Sequence, residues 1–253
     1  MKNILNKIYI HPMFLITILF FILLGRFRVI CYFMLLITIH ELGHIITSLY
    51  FKWKINKIII LPFGMLTKFD IDINTYLFDE FIVSISGILI QFIFYILIKD
   101  LISYYYFSHI NYFIIIFNLI PIIPLDGSKI FNIFINKITS FYNSIYISSY
   151  ISFISLFIIN IILFSINKLV LFISIFLLIE TLKNCKNISN IFNKFLLERY
   201  LKKYRFKHNK TVKNIYEMKK DYKHIFYIDN KYITEYTFLS KMFDFKRKVW
   251  YYV

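Results

Sequence analysis

Long apolar runs separated by short polar breaks set the plan of this chain. Residues 12–24 are almost wholly apolar, Arg26 and Arg28 break the pattern, and further apolar runs cover about 29–51, 81–98, 110–125, 145–166 and 169–182. A helix needs roughly 20 apolar residues to cross a bilayer. The pattern therefore predicts six spans, the first of them short and either extended into Tyr9 and Ile10 or packed obliquely. Between the second and third runs the period changes. Thr67, Phe69, Ile71 and Ile73 alternate with polar residues, and Lys57-Ile58-Ile59-Ile60-Leu61 precedes Pro62-Phe63-Gly64. This predicts a β-hairpin at the membrane surface. After Lys183 the apolar runs stop. The expected organisation is a transmembrane domain over 1–183, a connecting helix over 184–205 and a basic tail domain over 206–253. In the tail, Thr211–Met218 and His224–Asp229 predict strand, helix and strand. The fold class is an α-helical polytopic membrane protein with a surface hairpin and a small α/β tail.

Composition sharpens this picture. The chain has 253 residues, 59% hydrophobic and 21% aromatic, with a mean hydropathy of +0.64. A soluble domain of this size has no need for so much apolar surface. The net charge of +16 fits attraction to anionic lipid headgroups. No basic groove with base-reading chemistry accompanies it, so no nucleic-acid role is expected. Lys and Arg concentrate at the N-terminus, after the second run, after the fourth (Lys129, Lys137) and in the tail. By the positive-inside rule, and with an even number of spans, both termini lie in the cytoplasm. Cys31 and Cys185 lie far apart, one within an apolar run and one near the end of another, and read as unpaired core cysteines and not as a disulfide framework or a metal pair.

One polar cluster interrupts the second apolar run. His40-Glu41-Leu42-Gly43-His44 is an HExxH motif, which places two imidazoles on one helix face, one turn apart, where both can ligate a single metal. Glu41 follows the first of them and is placed to take a proton from a water that such a metal polarises. Ionisable groups at membrane depth are costly to insert and mark function. A catalytic zinc site normally uses three protein ligands, so one more is required. Asp126 is the strong candidate: it ends a nearly unbroken apolar stretch, after Pro121 and Pro124, beside Gly127. The prolines interrupt the helix, and the glycine permits an unusual backbone conformation there. His11 and His109 fall at span edges and Glu180 at the end of the sixth run, all suited to the interface.

HExxH in one span with Asn118-Leu119-Ile120-Pro121-Ile122-Ile123-Pro124-Leu125-Asp126-Gly127 in a later one resembles the site-2 protease family of intramembrane zinc metalloproteases, and within it the sporulation branch. His11-Pro12, Leu61-Pro62-Phe63-Gly64 and Leu197-Glu198-Arg199-Tyr200 resemble that branch too. The resemblance implies that His40, His44 and Asp126 bind Zn2+, that Glu41 is the general base and that Asn118 positions substrate. An interhelical hydrogen bond would also explain Asn118. The chain departs from the family's GPxxN stretch: Gly87 is kept, the proline is lost, and Gln91 stands for the asparagine.

The same resemblance implies a membrane-associated protein substrate, namely a sigma-factor precursor of sporulation, and inhibitory membrane partner proteins. It also implies residence in the cell membrane that surrounds the forespore. An unwound substrate segment would pair with the hairpin as an added strand. Ile233-Thr234-Glu235-Tyr236-Thr237-Phe238-Leu239 resembles the end of a CBS motif, which implies adenine nucleotide at the tail; a small docking domain without ligand fits as well. The competing readings are a catalytically inactive scaffold of the same architecture, a protease acting on a different substrate such as an anti-sigma factor, and a transporter. A transporter's substrate path has no use for Glu41 beside a metal ligand.

Overall fold

The computed structural model describes residues 7–61, 64–102, 105–164, 169–228 and 230–250. Helices dominate. In chain order the elements are β1 (Ile8–Ile10), α1 (Pro12–Leu23), α2 (Phe27–Tyr50), β2 (Lys54–Leu61), β3 (Gly64–Asp70), α3 (Leu77–Ile98), α4 (Tyr105–Leu119), α5 (Asp126–Ile138), α6 (Phe141–Phe164), α7 (Leu169–Lys186), α8 (Ile188–Leu201), β4 (His208–Val212), β5 (Tyr222–Ile228), β6 (Lys231–Thr234) and α9 (Glu235–Trp250). Among the described residues three helices are long and apolar enough to cross a membrane: Phe27–Tyr50, Leu77–Ile98 and Phe141–Ile162. The other apolar runs form shorter helices or, in α7, one whose end carries Lys183 and Lys186.

The chain divides into two compact units. The first draws on Met1–Ile71, Asp79–Pro121 and Leu125–Ile130. Its core joins Leu36 and Ile37 of α2, Tyr95 of α3, and Phe107 and Ile114 of α4. Helices α2 and α3 meet closely at two glycines. A Cβ on Gly43 would lie 2.6 Å from the Ser86 carbonyl oxygen and 2.8 Å from Gly87 Cα, so only glycine permits this approach. Strands β2 and β3 form the expected antiparallel hairpin, pairing Ile58 with Thr67 and Ile60 with Met65. Pro62 and Phe63 lie outside the described residues. Strand β3 ends at Asp70, so Ile71 and Ile73 do not continue it.

Tyr9 and Ile10 do not extend the first helix. They belong to β1, which runs parallel to β2 with Ile8 opposite Ile58 and Ile10 opposite Ile60. The reason is Pro12, which opens α1. Proline suits the first position of a helix but disfavours helical conformation in the residue before it, so the chain turns extended at His11.

The fourth apolar run also differs from the expectation. Helix α4 stops at Leu119, residues 120–125 are non-helical, and Asp126 opens a new helix, α5, where a loop carrying Lys129 and Lys137 was expected. Gly127 takes no left-handed conformation: only Gly25 and Gly64 among the described glycines do. Its role is space. A Cβ there would fall 2.2 Å from the Leu119 carbonyl oxygen, so glycine lets the start of α5 lie against the end of α4.

The second unit draws on Asp72–Phe78, Ile122–Pro124 and Phe131–Val253. Small polar residues join its helices: Asn132 of α5 donates to Ser148 of α6 at 2.8 Å, and Asn184 of α7 donates to Ser149 at 3.2 Å. The core packs Phe141 and Ile145 of α6 and Phe192, Phe195 and Leu196 of α8 with Val212, Met218, Phe226 and Leu239 of the tail. The tail sheet has the order β4-β5-β6, β4 parallel and β6 antiparallel to β5. A 3-10 turn, Ile215–Glu217, stands where a helix was expected between the first two strands.

Arg199 of α8 is the hub of this unit, its side chain 1% exposed. It donates to Asn74 Oδ1 at 2.6 Å, to the Tyr222 and Lys219 carbonyls at 2.9 Å each, and to Glu235 Oε1 at 3.0 Å. The Phe195 and Phe206 rings flank it. His224 Nε2 accepts the Lys219 N–H at 3.0 Å, which leaves Nδ1 to donate to Glu235 Oε2 at 3.2 Å. Burial holds both Arg199 and His224 below their ordinary pKa values. Burial pushes Glu235 up, but the His224 hydrogen bond and the Arg199 charge outweigh it and leave the carboxyl below its usual range.

Candidate metal centre

Helix α2 brings His40 and His44 to one face, and both are buried with Glu41. The turn from α4 into α5 brings Asp126 to them across a gap of more than eighty residues. His40 Nε2 lies 3.0 Å from Asp126 Oδ2, His44 Nε2 lies 2.9 Å from the same oxygen, and the two Nε2 atoms are 3.1 Å apart. As the first residue of α5, Asp126 also sits where a helix favours negative charge. The three residues form a group able to hold one metal ion.

The outer side of each imidazole fixes what its inner side offers. His44 Nδ1 lies 2.7 Å from the Val83 carbonyl oxygen, which can only accept, so in the neutral ring Nδ1 carries the proton. His40 Nδ1 lies 3.0 Å from Gln91 Oε1. Gln91 Nε2 donates to the Asn111 carbonyl at 3.3 Å and to Asn111 Oδ1 at 3.0 Å. That fixes the amide orientation and makes His40 Nδ1 a donor too. In neutral rings both Nε2 lone pairs then point at each other and at a carboxylate oxygen. Three electron-rich atoms so close together in a buried place repel one another unless a cation joins them.

Gly87 supplies the room. A Cβ there would lie 2.4 Å from His44 Nε2 and 2.9 Å from His40 Nε2. The missing side chain leaves open the space on which the ring nitrogens converge, so the donor set and the space both fit a metal ion.

Glu41 does not join the cluster. Its Oε1 accepts the Thr67 backbone N–H at 2.9 Å, which ties the carboxylate to strand β3. Thr67 Oγ1 is buried and has no hydrogen-bond partner among the described residues. Lys129, one turn along α5, donates to Asp126 Oδ1 at 2.8 Å. Asn118 is in the last turn of α4 and donates to the Ile114 carbonyl of its own helix at 3.0 Å.

The structure therefore gathers His40, His44 and Asp126, holds Glu41 beside them, and turns the Asn118 amide into its helix. Sequence reasoning missed Thr67, Val83 and Lys129 as partners, and it took Gln91 only as a departure from a pattern. The sequence held one signal for Gln91: it is an amide in a strongly apolar run, where such a group needs a polar partner, although the sequence does not say which.

The model of peptidase family M50 matches residues 28–105 and 98–163, which is more than half of the chain. The chain belongs to peptidase family M50. This is a family of intramembrane metalloproteases, and the matched residues include the whole HExxH motif and Asp126. Stage IV sporulation protein FB of Bacillus subtilis (strain 168) is 30% identical over 216 residues, covering 80% of this chain and 74% of that protein. The Site-2 Protease from Methanocaldococcus jannaschii shares the fold, with a TM-score of 0.57 at 24% identity over 70% of this chain and 89% of that one. Family membership agrees with the resemblance carried by the HExxH and Leu125-Asp126-Gly127 motifs.

Proposed function

We propose that this chain is an intramembrane zinc endopeptidase that cleaves a membrane-associated protein. The observation that carries the reading is the convergence of His40 Nε2, His44 Nε2 and Asp126 Oδ2 on the space left by Gly87. Zinc held there would act as a Lewis acid on the scissile carbonyl and the attacking water. Glu41 takes the proton from that water and returns it to the leaving amine. The Thr67 N–H holds Glu41 Oε1, which leaves the second carboxylate oxygen to carry the proton. Asn118 positions substrate from the end of α4. The edge of β3 receives the unwound substrate segment.

Similarity to the Bacillus sporulation protein supports a sigma-factor precursor as substrate, with inhibitory membrane partner proteins and residence in the forespore-surrounding membrane. On this reading the chain crosses the membrane six times through α1, α2, α3, α4, α6 and α7, and both termini are cytoplasmic. The basic tail meets anionic headgroups, and its strand-turn-strand-strand-helix order supports a half-site for adenine nucleotide.

A catalytically inactive scaffold has less support, because His40, Glu41, His44 and Asp126 are all present. Glu41→Gln separates the two. It retains metal, since Glu41 is not among the three ligands, but loses turnover by about 10²–10⁴-fold. Cleavage is read by co-expression with candidate membrane-tethered transcription factors, scored for a change in size. Wild-type protein that binds zinc and cuts no candidate, with Glu41→Gln indistinguishable from it, would favour the scaffold.

A further inference from the structure

The two oxygens of Asp126 have different partners. Oδ2 faces both imidazoles, at 3.0 and 2.9 Å, while Oδ1 faces Lys129 Nζ at 2.8 Å. The pair follows from helix geometry: Asp126 opens α5 and Lys129 stands three residues on, over the same face. The aspartate side chain is 7% exposed and the lysine 48%. The ammonium thus meets the carboxylate at the site's margin and leaves its inner oxygen clear.

A carboxylate with both oxygens free can chelate a metal through the pair. With two histidines already bound, a chelating aspartate would add a donor, raise the coordination number and crowd the position that a catalytic site keeps open. A charge-assisted hydrogen bond of this length competes strongly for one oxygen. We infer that Lys129 is a positioning residue that holds Asp126 Oδ1, so that Asp126 gives the metal one oxygen and a coordination position stays open for the reaction. This rests on the metal-site reading of the proposed function. Lys129 acts through Asp126 and need touch neither substrate nor metal.

The test uses the full-length protein in detergent micelles, with Co2+ as the probe, because coordination number sets the strength of its visible absorption. Wild-type protein is expected to give the intense bands of a four-coordinate site. Lys129→Gln and Lys129→Ala are expected to bind Co2+ but lose most of that intensity, as the freed oxygen raises the coordination number. Lys129→Arg, which keeps the positive donor, is expected to recover it. In a cleavage assay kcat should fall in the Gln and Ala variants while KM holds. An ordinary surface ion pair would leave the spectrum unmoved, so unchanged bands in both variants overturn the inference and leave the metal site standing. Failure of the wild type to bind Co2+ or zinc would instead bring down the metal-site reading, and this inference with it.

Discussion

At Gly87 a single hydrogen atom decides between stability and function. The residue is in the interior of α3, where glycine costs about 1 kcal/mol relative to alanine. Gly87→Ala should therefore favour the helix, yet its methyl group would begin 2.4 Å from His44 Nε2. The imidazole must swing away or the helices must part. The expected outcome is a helical, membrane-inserted protein that retains no zinc and cleaves nothing, read by circular dichroism and metal analysis on one sample. Normal zinc content in this variant would show that the metal does not sit where the ring nitrogens converge. At this scale the site was half legible in the sequence. HExxH encodes its geometry in spacing along one helix, and Asp126 stands out because so few polar residues surround it. Gln91 and the Val83 carbonyl matter only through which face of α3 meets α2, and no spacing within one helix reveals that. Lys129 pairs with Asp126 at i,i+3 only because a helix opens at Asp126, where a loop was expected.

Strand β3 reaches the site through Thr67. It is an edge of the β1-β2-β3 sheet, and Thr67 sends its N–H to Glu41 rather than to β2. Peptide groups in an antiparallel pair alternate in direction, so the Met65 N–H, two residues away, points the same way. A substrate strand laid along this edge would take that N–H as a donor. Met65→Pro removes it without touching the ladder to β2, whereas Met65→Ala keeps it and removes only the side chain. The proline variant should raise KM several-fold and spare zinc content, with the alanine variant close to wild type. Equal KM values in all three proteins would rule out strand pairing at Met65. The hairpin was readable in part from alternation, because Thr67 is buried while Lys68 and Asp70 are exposed. Strand β1 and helix α5 were not. Three residues next to an apolar run carry no period of their own, and the break from α4 into α5 depends on Gly127 fitting beneath Leu119.

For the whole molecule, the question is which side of the membrane the hairpin and tail face. Helices α2, α3 and α6 reach the length of a bilayer, whereas α4 has 15 residues, about 22 Å at the usual helical rise of ~1.5 Å per residue. A helix that stops short leaves non-helical backbone at depth, which a membrane tolerates only where protein or a water-filled cavity covers it. If α4 is a crossing, the Ile120–Leu125 turn that delivers Asp126 would be such a place, and hydrolysis needs water to reach it. Counting α1, α4 and α7 as crossings alongside the three longer helices gives an even number, and the distribution of Lys and Arg then sets the orientation. Reporter fusions after Lys68, Lys137 and Lys202 should read cytoplasmic, and a fusion at Arg26 external. Arg26 and Arg28 pull against this order, but the Lys and Arg residues of the tail from Lys202 onward, nearly half of the chain's 30, outweigh two arginines. With that orientation, β3 and the tail are open to a cytoplasmic precursor. A tail that reads external would make the number of crossings odd or invert the whole chain. The sigma-factor precursor would then have to be given up as substrate, even with His40, His44 and Asp126 holding their metal.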